Sequence, residues 1–226
     1  MKINNKNRTI VNIFGGPFIV FSILYHKITF LLLVFFIFAF SLYEYISLIK
    51  EKSELTFYKL FIGFFWVALI FCFLPIYNIQ DIGKNFVLVI FLSVWVTDSM
   101  AFIMGKKFGK KKIFPTISPN KTWVGSIAGL VSAILFLLAI NNMNSIFYDI
   151  WPENFKFSDI LYIGFIVGFF GQFGDFLESY FKRKLDVKDS SNLLLGHGGF
   201  LDRFDSMFIV GATISLYLFL TGHYNG

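Results

Sequence analysis

Long apolar runs separated by short polar stretches are the feature that most restricts this chain. Seven of them approach the ~20 residues that an α-helix needs to cross about 30 Å of hydrocarbon. They cover residues 10–25, 28–49, 55–76, 86–104, 124–140, 158–176 and 204–220. Only 15% of the residues are charged, whereas a soluble domain has about a quarter. The sequence therefore predicts an all-α, polytopic integral membrane protein with about seven transmembrane helices, as a single transmembrane domain over residues 1–226.

The positions of the basic residues predict the orientation. If seven spans alternate, sixteen of the 20 Lys and Arg residues lie on the side of the N-terminus and three on the other side. Cytoplasmic loops carry this excess, so we expect a cytoplasmic N-terminus. The net charge of +6 then reflects orientation and binding of anionic lipid or phosphate, and not of nucleic acid. Most of the charge falls in two cytoplasmic loops, 105–123 and 177–203, which is where we expect the chemistry.

Two apolar segments carry small residues at helical spacing. These are Gly125 and Gly129 in the fifth segment, and Gly164, Gly168 and Gly171 in the sixth. Such faces let helix backbones approach closely in a membrane. They suit either packing inside the molecule or a homodimer interface.

Carboxylates at the hydrocarbon boundary are the first functional candidates, because a charge there is costly and needs a partner or a task. Asp98 falls late in the fourth segment. If the sixth segment continues as a helix, Asp175, Glu178, Ser179 and Lys182 share one face. That face is either a structural ion-pair stripe or a site at the level of lipid headgroups, and we favour the site.

The loop after the sixth segment alternates cations and carboxylates beside glycines. Residues 182–189 are followed by Gly198 and Gly199 and by a second acidic stretch at 202–205. Glycine lets backbone N–H groups approach phosphate oxygens, Lys and Arg offset phosphate charge, and carboxylates hold Mg²⁺. This combination suggests polyphosphate handling with a divalent metal, with His197 as a candidate for phosphate contact or proton transfer.

The earlier loop contributes Ser118, Lys121 and Thr122, all of which can donate to phosphate. Pro119 restricts the chain between them. The neighbouring lysines at 110–112 are better explained as anchors to anionic lipid. We therefore expect Lys121 to act in the site.

These residues, in this order and spacing, resemble the phosphatidate cytidylyltransferases, also called CDP-diacylglycerol synthases. The resemblance covers residues 98–210, about half of the chain. It rests on Asp98, Gly105, Lys106, Gly109, Lys110, residues 118–122, Gly125, Gly174, Asp175, Glu178, Ser179, Lys182, Arg183, Lys188, Asp189, residues 197–199, Asp202, Arg203 and Asp205.

The resemblance implies that CTP and phosphatidate give CDP-diacylglycerol and pyrophosphate, with Mg²⁺ required and one or two metal ions acting. For metal ligands we predict Asp175 and Asp202, with Asp205, Asp189 and Asp98 as second choices. The predicted phosphate clamp is Lys121, Lys182, Arg183 and Arg203, and His197 is expected to position the phosphates. Further substrate contacts are predicted at Ser118, Thr122, Ser179, Lys188, Gly198 and Gly199.

A site that takes both a lipid and a soluble nucleotide must open sideways to the bilayer and downward to the cytoplasm. We expect it in a cleft between the fourth, fifth, sixth and seventh segments, on the cytoplasmic side of a cell inner membrane. A CTP-dependent lipid-alcohol kinase and a cytidylyltransferase for another lipid phosphate stay open as alternatives. A small transporter with Asp98 and Asp175 in its pathway is a further alternative from another class.

Overall fold

The computed structural model describes residues 5–80, 82–143, 150–152, 154–191, 193–194 and 198–225, with side chains from 14 to 224. Helices make up nearly all the regular structure of this described part. The α-helices are α1 Asn5–Tyr25, α2 Lys27–Lys52, α3 Phe57–Ala68, α4 Phe73–Tyr77, α5 Gly83–Phe108, α6 Trp123–Asn142, α7 Phe157–Lys184 and α8 Leu201–Thr221. The predicted all-α fold class is confirmed.

Six helical segments are long and apolar enough to cross a membrane: α2, α3 with α4, α5, α6, α7 and α8. They correspond to the second to seventh segments predicted from the sequence. In α1 the described apolar part, Phe14–Tyr25, is shorter than a span, and Pro17 lies inside this helix. A seventh span and the cytoplasmic N-terminus therefore stay predictions.

The segment predicted as one helix over 55–76 is interrupted. Between α3 and α4 the residues Leu69–Cys72 form a 3₁₀ turn. Pro75 accounts for the change, because it has no N–H to donate to the carbonyl of Phe71 and its ring crowds that carbonyl. The tighter 3₁₀ turn keeps the chain helical through this point.

The small residues of α6 and α7 lie at contacts within the chain. A Cβ at Gly168 would lie 2.8 Å from the Cα of Leu130, and one at Gly164 would lie 2.9 Å from the Cα of Ile134. In the same way, Gly125 faces the Ala101 carbonyl of α5. These glycines allow α5, α6 and α7 to pack backbone against backbone. The small-residue faces thus have an intramolecular role, and a homodimer stays a prediction.

The ends of four helices meet on one side of the bundle. The C-terminal ends of α5 and α7 lie beside the N-terminal ends of α6 and α8, and residues 109–122 join α5 to α6. This connection folds back on itself, with an antiparallel bridge between Lys112 and Thr122 and a hydrogen bond from the Trp123 N–H to the Lys111 carbonyl. Polar residues far apart in the sequence are brought together here. The single-domain organisation over 1–226 stays a prediction.

Candidate active site

A cavity of about 990 Å³ lies between α5, α6, α7 and α8. These helices are the fourth to seventh predicted spans, so the expected cleft is present. Its charged and amide-bearing lining residues are Asp98, Lys106, Lys112, Asn120, Lys121, Gln172, Asp175, Glu178, Lys182, Asp202, Arg203 and Asp205. Thr122 lines it as well, and so does Phe102, whose ring is 68% exposed. The cavity is therefore lined by polar residues at the helix ends and by an exposed aromatic ring of α5.

Three carboxylates form a cluster in this cavity: Asp175 and Glu178 on α7, and Asp205 on α8. One oxygen from each lies within 4.8 Å of the others, and Glu178 and Asp205 are buried. The spacing of three residues places the first two on one face of α7. Gly174 lets α8 come close, because a Cβ there would lie 2.7 Å from the Asp205 carbonyl oxygen. Like charges at this spacing repel one another unless a cation or a proton lies between them.

Lys182 joins this acidic cluster to the start of α8. Its ammonium lies 2.7 Å from the Glu178 carboxylate and 2.8 Å from the Asp202 carboxylate. Its side chain is only 11% exposed, and those of its partners are 1% and 11% exposed. The predicted phosphate-clamp residue is thus held between two buried carboxylates.

Asp202 holds the loop that precedes α8. Its carboxylate accepts hydrogen bonds from the backbone N–H groups of Ser190, at 3.0 Å, and Gly199, at 2.8 Å. Gly198 adopts a φ of 80°, a conformation that favours glycine. Asp202 lines the cavity, but its oxygens already have a cation and two N–H donors. Its predicted role as a metal ligand stays a prediction.

Lys121 reaches the cavity from the loop before α6. Its ammonium lies 2.5 Å from Asp175 Oδ2 and 4.0 Å from the centre of the Phe176 ring. Thr122, the next residue, caps α6 by accepting a hydrogen bond from the Gly125 N–H at 3.1 Å. The cap fixes where Lys121 leaves the backbone. The Lys121 side chain is 23% exposed, but its Nζ atom itself is buried, so a phosphate that binds it would replace Asp175 as its partner.

Arg183 lies outside the cavity lining. Its guanidinium donates to the carbonyls of Ile117, at 3.1 Å, and Val187, at 2.9 Å. It thereby ties the loop before α6 to the loop after α7. The structure offers no support for a direct phosphate contact by Arg183, and that role stays a prediction.

The other sequence-predicted residues differ in their placement. Ser179 donates to Asp175 Oδ1 at 3.4 Å, next to the cavity. Lys188 and Asp189 are exposed, and neither they nor Ser118, Gly198 and Gly199 are among the described residues that line the cavity. His197 lies outside the described residues.

Two residues that matter here were not selected as candidates from the sequence. Glu178 was recognised only as part of the polar face of α7, although its spacing from Asp175 is what brings both carboxylates to one point. Glu44 of α2 is buried and accepts hydrogen bonds from the loop before α8. Its sequence surroundings are apolar, and no pattern in them links position 44 to residues about 150 positions away.

The chain is similar to proteins of one known family. The model of the Cytidylyltransferase family matches residues 56–221, which include every residue of the acidic cluster. A phosphatidate cytidylyltransferase of Staphylococcus epidermidis is 40% identical over 149 residues, 66% of this chain and 55% of that protein. One of Staphylococcus saprophyticus is 42% identical over 146 residues, 65% of this chain and 54% of that protein.

The chain spans about half the length of the curated relatives it matches. The family match itself covers more than half of this chain and contains α3 to α8. The chain belongs to the Cytidylyltransferase family.

Proposed function

We propose that this protein transfers the cytidylyl group of CTP to phosphatidate, giving CDP-diacylglycerol and pyrophosphate. The observation that carries the proposal is the cavity in which three clustered carboxylates lie beside Lys121 and Lys182. The names of the relatives from Staphylococcus support the same reaction. In this reaction a lipid phosphate oxygen forms a bond to the α-phosphorus, the bond from the α-phosphorus to the bridging oxygen breaks, and pyrophosphate leaves with the electron pair.

The acidic cluster suits a divalent metal ion. Glu178 Oε1 is buried and accepts no hydrogen bond from the residues that the structure describes, so a carboxylate oxygen is available inside the cluster. Oxygen ligands from carboxylates are those that Mg²⁺ prefers. Asp175, Glu178 and Asp205 would hold the ion, and Asp98 lines the same cavity. When bound, Mg²⁺ would neutralise phosphate charge and polarise the reacting phosphorus–oxygen bonds.

The residues of the chain itself have to bring two anionic substrates together. Lys121 is the cation that we assign to a phosphate, because it lines the cavity and its buried Nζ atom makes no hydrogen bond to the described residues beyond its ion pair with Asp175. Lys106, Lys112 and Arg203 line the same cavity and lower the repulsion between CTP and the lipid phosphate. The attacking phosphate is ionised at neutral pH, so no general base is needed. Catalysis by this site is alignment and charge neutralisation.

The shape of the cavity fits a lipid substrate. Phe102 lines it and is 68% exposed, and we place the acyl chains against this apolar ring, in the bilayer, while the phosphate enters the cavity. The basic helix ends support a location on the cytoplasmic side of the inner membrane. CTP reaches such a site from the cytoplasm.

The test uses CTP labelled either at its α-phosphate or at its γ-phosphate. Detergent-solubilised protein is incubated with phosphatidate and Mg²⁺, and label in the lipid extract is counted. The proposal predicts label from the α-phosphate only, in a product that contains cytidine. Label from the γ-phosphate only would instead identify a lipid kinase and overturn the proposal.

A further inference from the structure

A buried carboxylate of α2 accepts hydrogen bonds from the loop that leads into α8. Glu44 is 1% exposed and accepts four hydrogen bonds from described residues. The hydroxyls of Ser190 and Ser191 donate at 3.0 and 2.6 Å, and the backbone N–H groups of Phe200 and Leu201 donate at 3.0 and 2.9 Å. All four donors are neutral, and no cation in the described part of the chain pairs with Glu44.

The two N–H groups belong to the start of α8. The first N–H groups of a helix have no partner within the helix and favour a negative charge. Glu44 supplies that charge from another helix, about 150 positions earlier in the chain. A carboxylate this deeply buried is retained where it is fully hydrogen-bonded and fixes a particular arrangement.

The residues at the start of α8 that donate to Glu44 are close in sequence to the acidic cluster. Asp202 follows Leu201 directly, and Asp205 lies one helical turn further along α8. Any shift or fraying of the first turn of α8 therefore moves Asp205 relative to Asp175 and Glu178 on α7.

Residues of the loop before α8 also pack tightly against Glu44 and α2. A Cβ at Gly199 would collide with Glu44 Oε2 and with the Ser190 hydroxyl. The ring of Phe200 packs against Phe36 and Phe40 of α2, with centroids 5.3 and 5.0 Å apart. Apolar packing thus brings α2 to the loop, and the carboxylate fixes the loop's backbone.

We infer that Glu44 is a positioning residue for the proposed transferase site, acting through the first turn of α8 on Asp202 and Asp205. This rests on the proposed function, and it goes beyond the family match, which begins at residue 56. Residues that orient metal-binding side chains typically contribute about 10–100-fold to metal affinity or activity. Glu44 is expected to contribute within that range.

The test compares Glu44→Gln with the wild-type protein and with Glu51→Gln as the matched control. Glu51 lies on the same helix, but its side chain is 68% exposed. Gln keeps the size of Glu, yet it removes the charge and places an NH₂ group opposite two of the four donors, one of which is a backbone N–H group. Three quantities are measured: kcat for lipid labelling, the affinity for Mn²⁺ by electron paramagnetic resonance, and hydrogen exchange at Phe200 and Leu201.

For Glu44→Gln we expect kcat and Mn²⁺ affinity each to fall by at least about tenfold, with faster exchange at both amides. The KM for CTP should stay within about threefold, since Glu44 contacts no cavity cation. Glu51→Gln should match the wild type in all three. If Glu44→Gln does not fold, Ser191→Ala, which keeps the carboxylate and removes one donor, should change the same quantities in the same direction.

The outcomes separate the two proposals. If the wild-type protein labels no lipid, the proposed function is wrong. If Glu44→Gln nevertheless binds Mn²⁺ more weakly than the wild type, the positioning role of Glu44 is still supported. If the wild type is active and Glu44→Gln gives the same three values as Glu51→Gln, the positioning role is overturned. The same holds for Ser191→Ala where it is used in place of Glu44→Gln. Loss of kcat without a change in Mn²⁺ binding or amide exchange would overturn it too.

Discussion

Replacing Lys182 by Met tests whether this lysine stabilises the folded protein by pairing with buried carboxylates of the site. Its ammonium lies between Glu178 and Asp202, at 2.7 and 2.8 Å, and all three side chains are at most 11% exposed. Met preserves much of the side-chain volume and removes the charge. Two carboxylates then remain buried without their cation, and breaking a buried ion pair in this way costs about 3–5 kcal/mol.

Lys121→Met is the matched control, because it also removes a lysine that pairs with a carboxylate of the cavity. The side chains of Lys121 and Asp175 are 23% and 35% exposed, so this pair is less buried than the one around Lys182, although the Lys121 Nζ atom itself is buried. Without Lys121, water can still reach the partly exposed Asp175 carboxylate, so the cost is expected to lie below the about 3–5 kcal/mol of a fully buried pair. The structure therefore predicts a larger loss of stability for Lys182→Met than for Lys121→Met.

Thermal unfolding in detergent can be followed with a thiol-reactive fluorescent dye. Cys72 is the only cysteine and is partly buried, so its reactivity reports unfolding of the bundle. In a chain of this length 1 kcal/mol changes Tm by roughly 2–4 °C, so Lys182→Met should lower Tm by at least about 6 °C. Adding Glu178→Gln to Lys182→Met should recover part of that loss, about 0.5–3 kcal/mol.

A Tm for Lys182→Met within about 2 °C of the wild type would refute this reasoning. The lysine would then be free enough to act as a phosphate ligand, as the sequence alone predicted. A double variant no more stable than the single one would show that Glu178 does not depend on Lys182.

Three further predictions concern substrate binding, metal and packing. Lys121→Met should lower kcat/KM for CTP by at least about tenfold with a smaller loss of Tm than Lys182→Met, which steady-state labelling and melting curves together check. EDTA should abolish lipid labelling, and Mg²⁺ added back in excess should restore it, because carboxylate sites exchange this ion readily; activity that survives EDTA would contradict a metal site. Gly168→Leu should destabilise the α6–α7 contact by about 1–3 kcal/mol or more, since its Cβ would lie 2.8 Å from the Leu130 Cα. Gly16→Leu, with nothing within 4 Å of its Cβ, should not lower Tm, because leucine also favours the helix more than glycine does.

Much of the fold follows from the sequence because transmembrane helices are long and apolar. Six of the seven predicted spans coincide with helices of sufficient length. The break at Leu69–Cys72 could be anticipated only in part, since Pro75 signals a disturbed helix but not the 3₁₀ turn that absorbs it. Length alone also could not decide whether α1 crosses the bilayer.

The sequence predicts contacts between residues of one helix, but it does not predict contacts between segments that are far apart in the chain. The face shared by Asp175, Glu178 and Lys182 follows from helical periodicity. The ion pair of Lys182 with Asp202 and the hold of Arg183 on the Ile117 carbonyl depend on how distant segments meet. Sequence reasoning therefore identified the charged residues but could not separate those that face a substrate from those that hold the loops together.

The central claim is that Asp175, Glu178 and Asp205 hold the metal ion on which cytidylyl transfer depends. The most direct test is the rate at which label from the α-phosphate of CTP enters phosphatidate, measured at increasing Mg²⁺ for the wild type, Glu178→Gln and the exposed control Glu51→Gln. The account predicts Mg²⁺-dependent labelling in the wild type and the control, and at least a ~100-fold lower rate in Glu178→Gln at every Mg²⁺ concentration. Labelling by Glu178→Gln at the wild-type rate, with the same dependence on Mg²⁺, would contradict it.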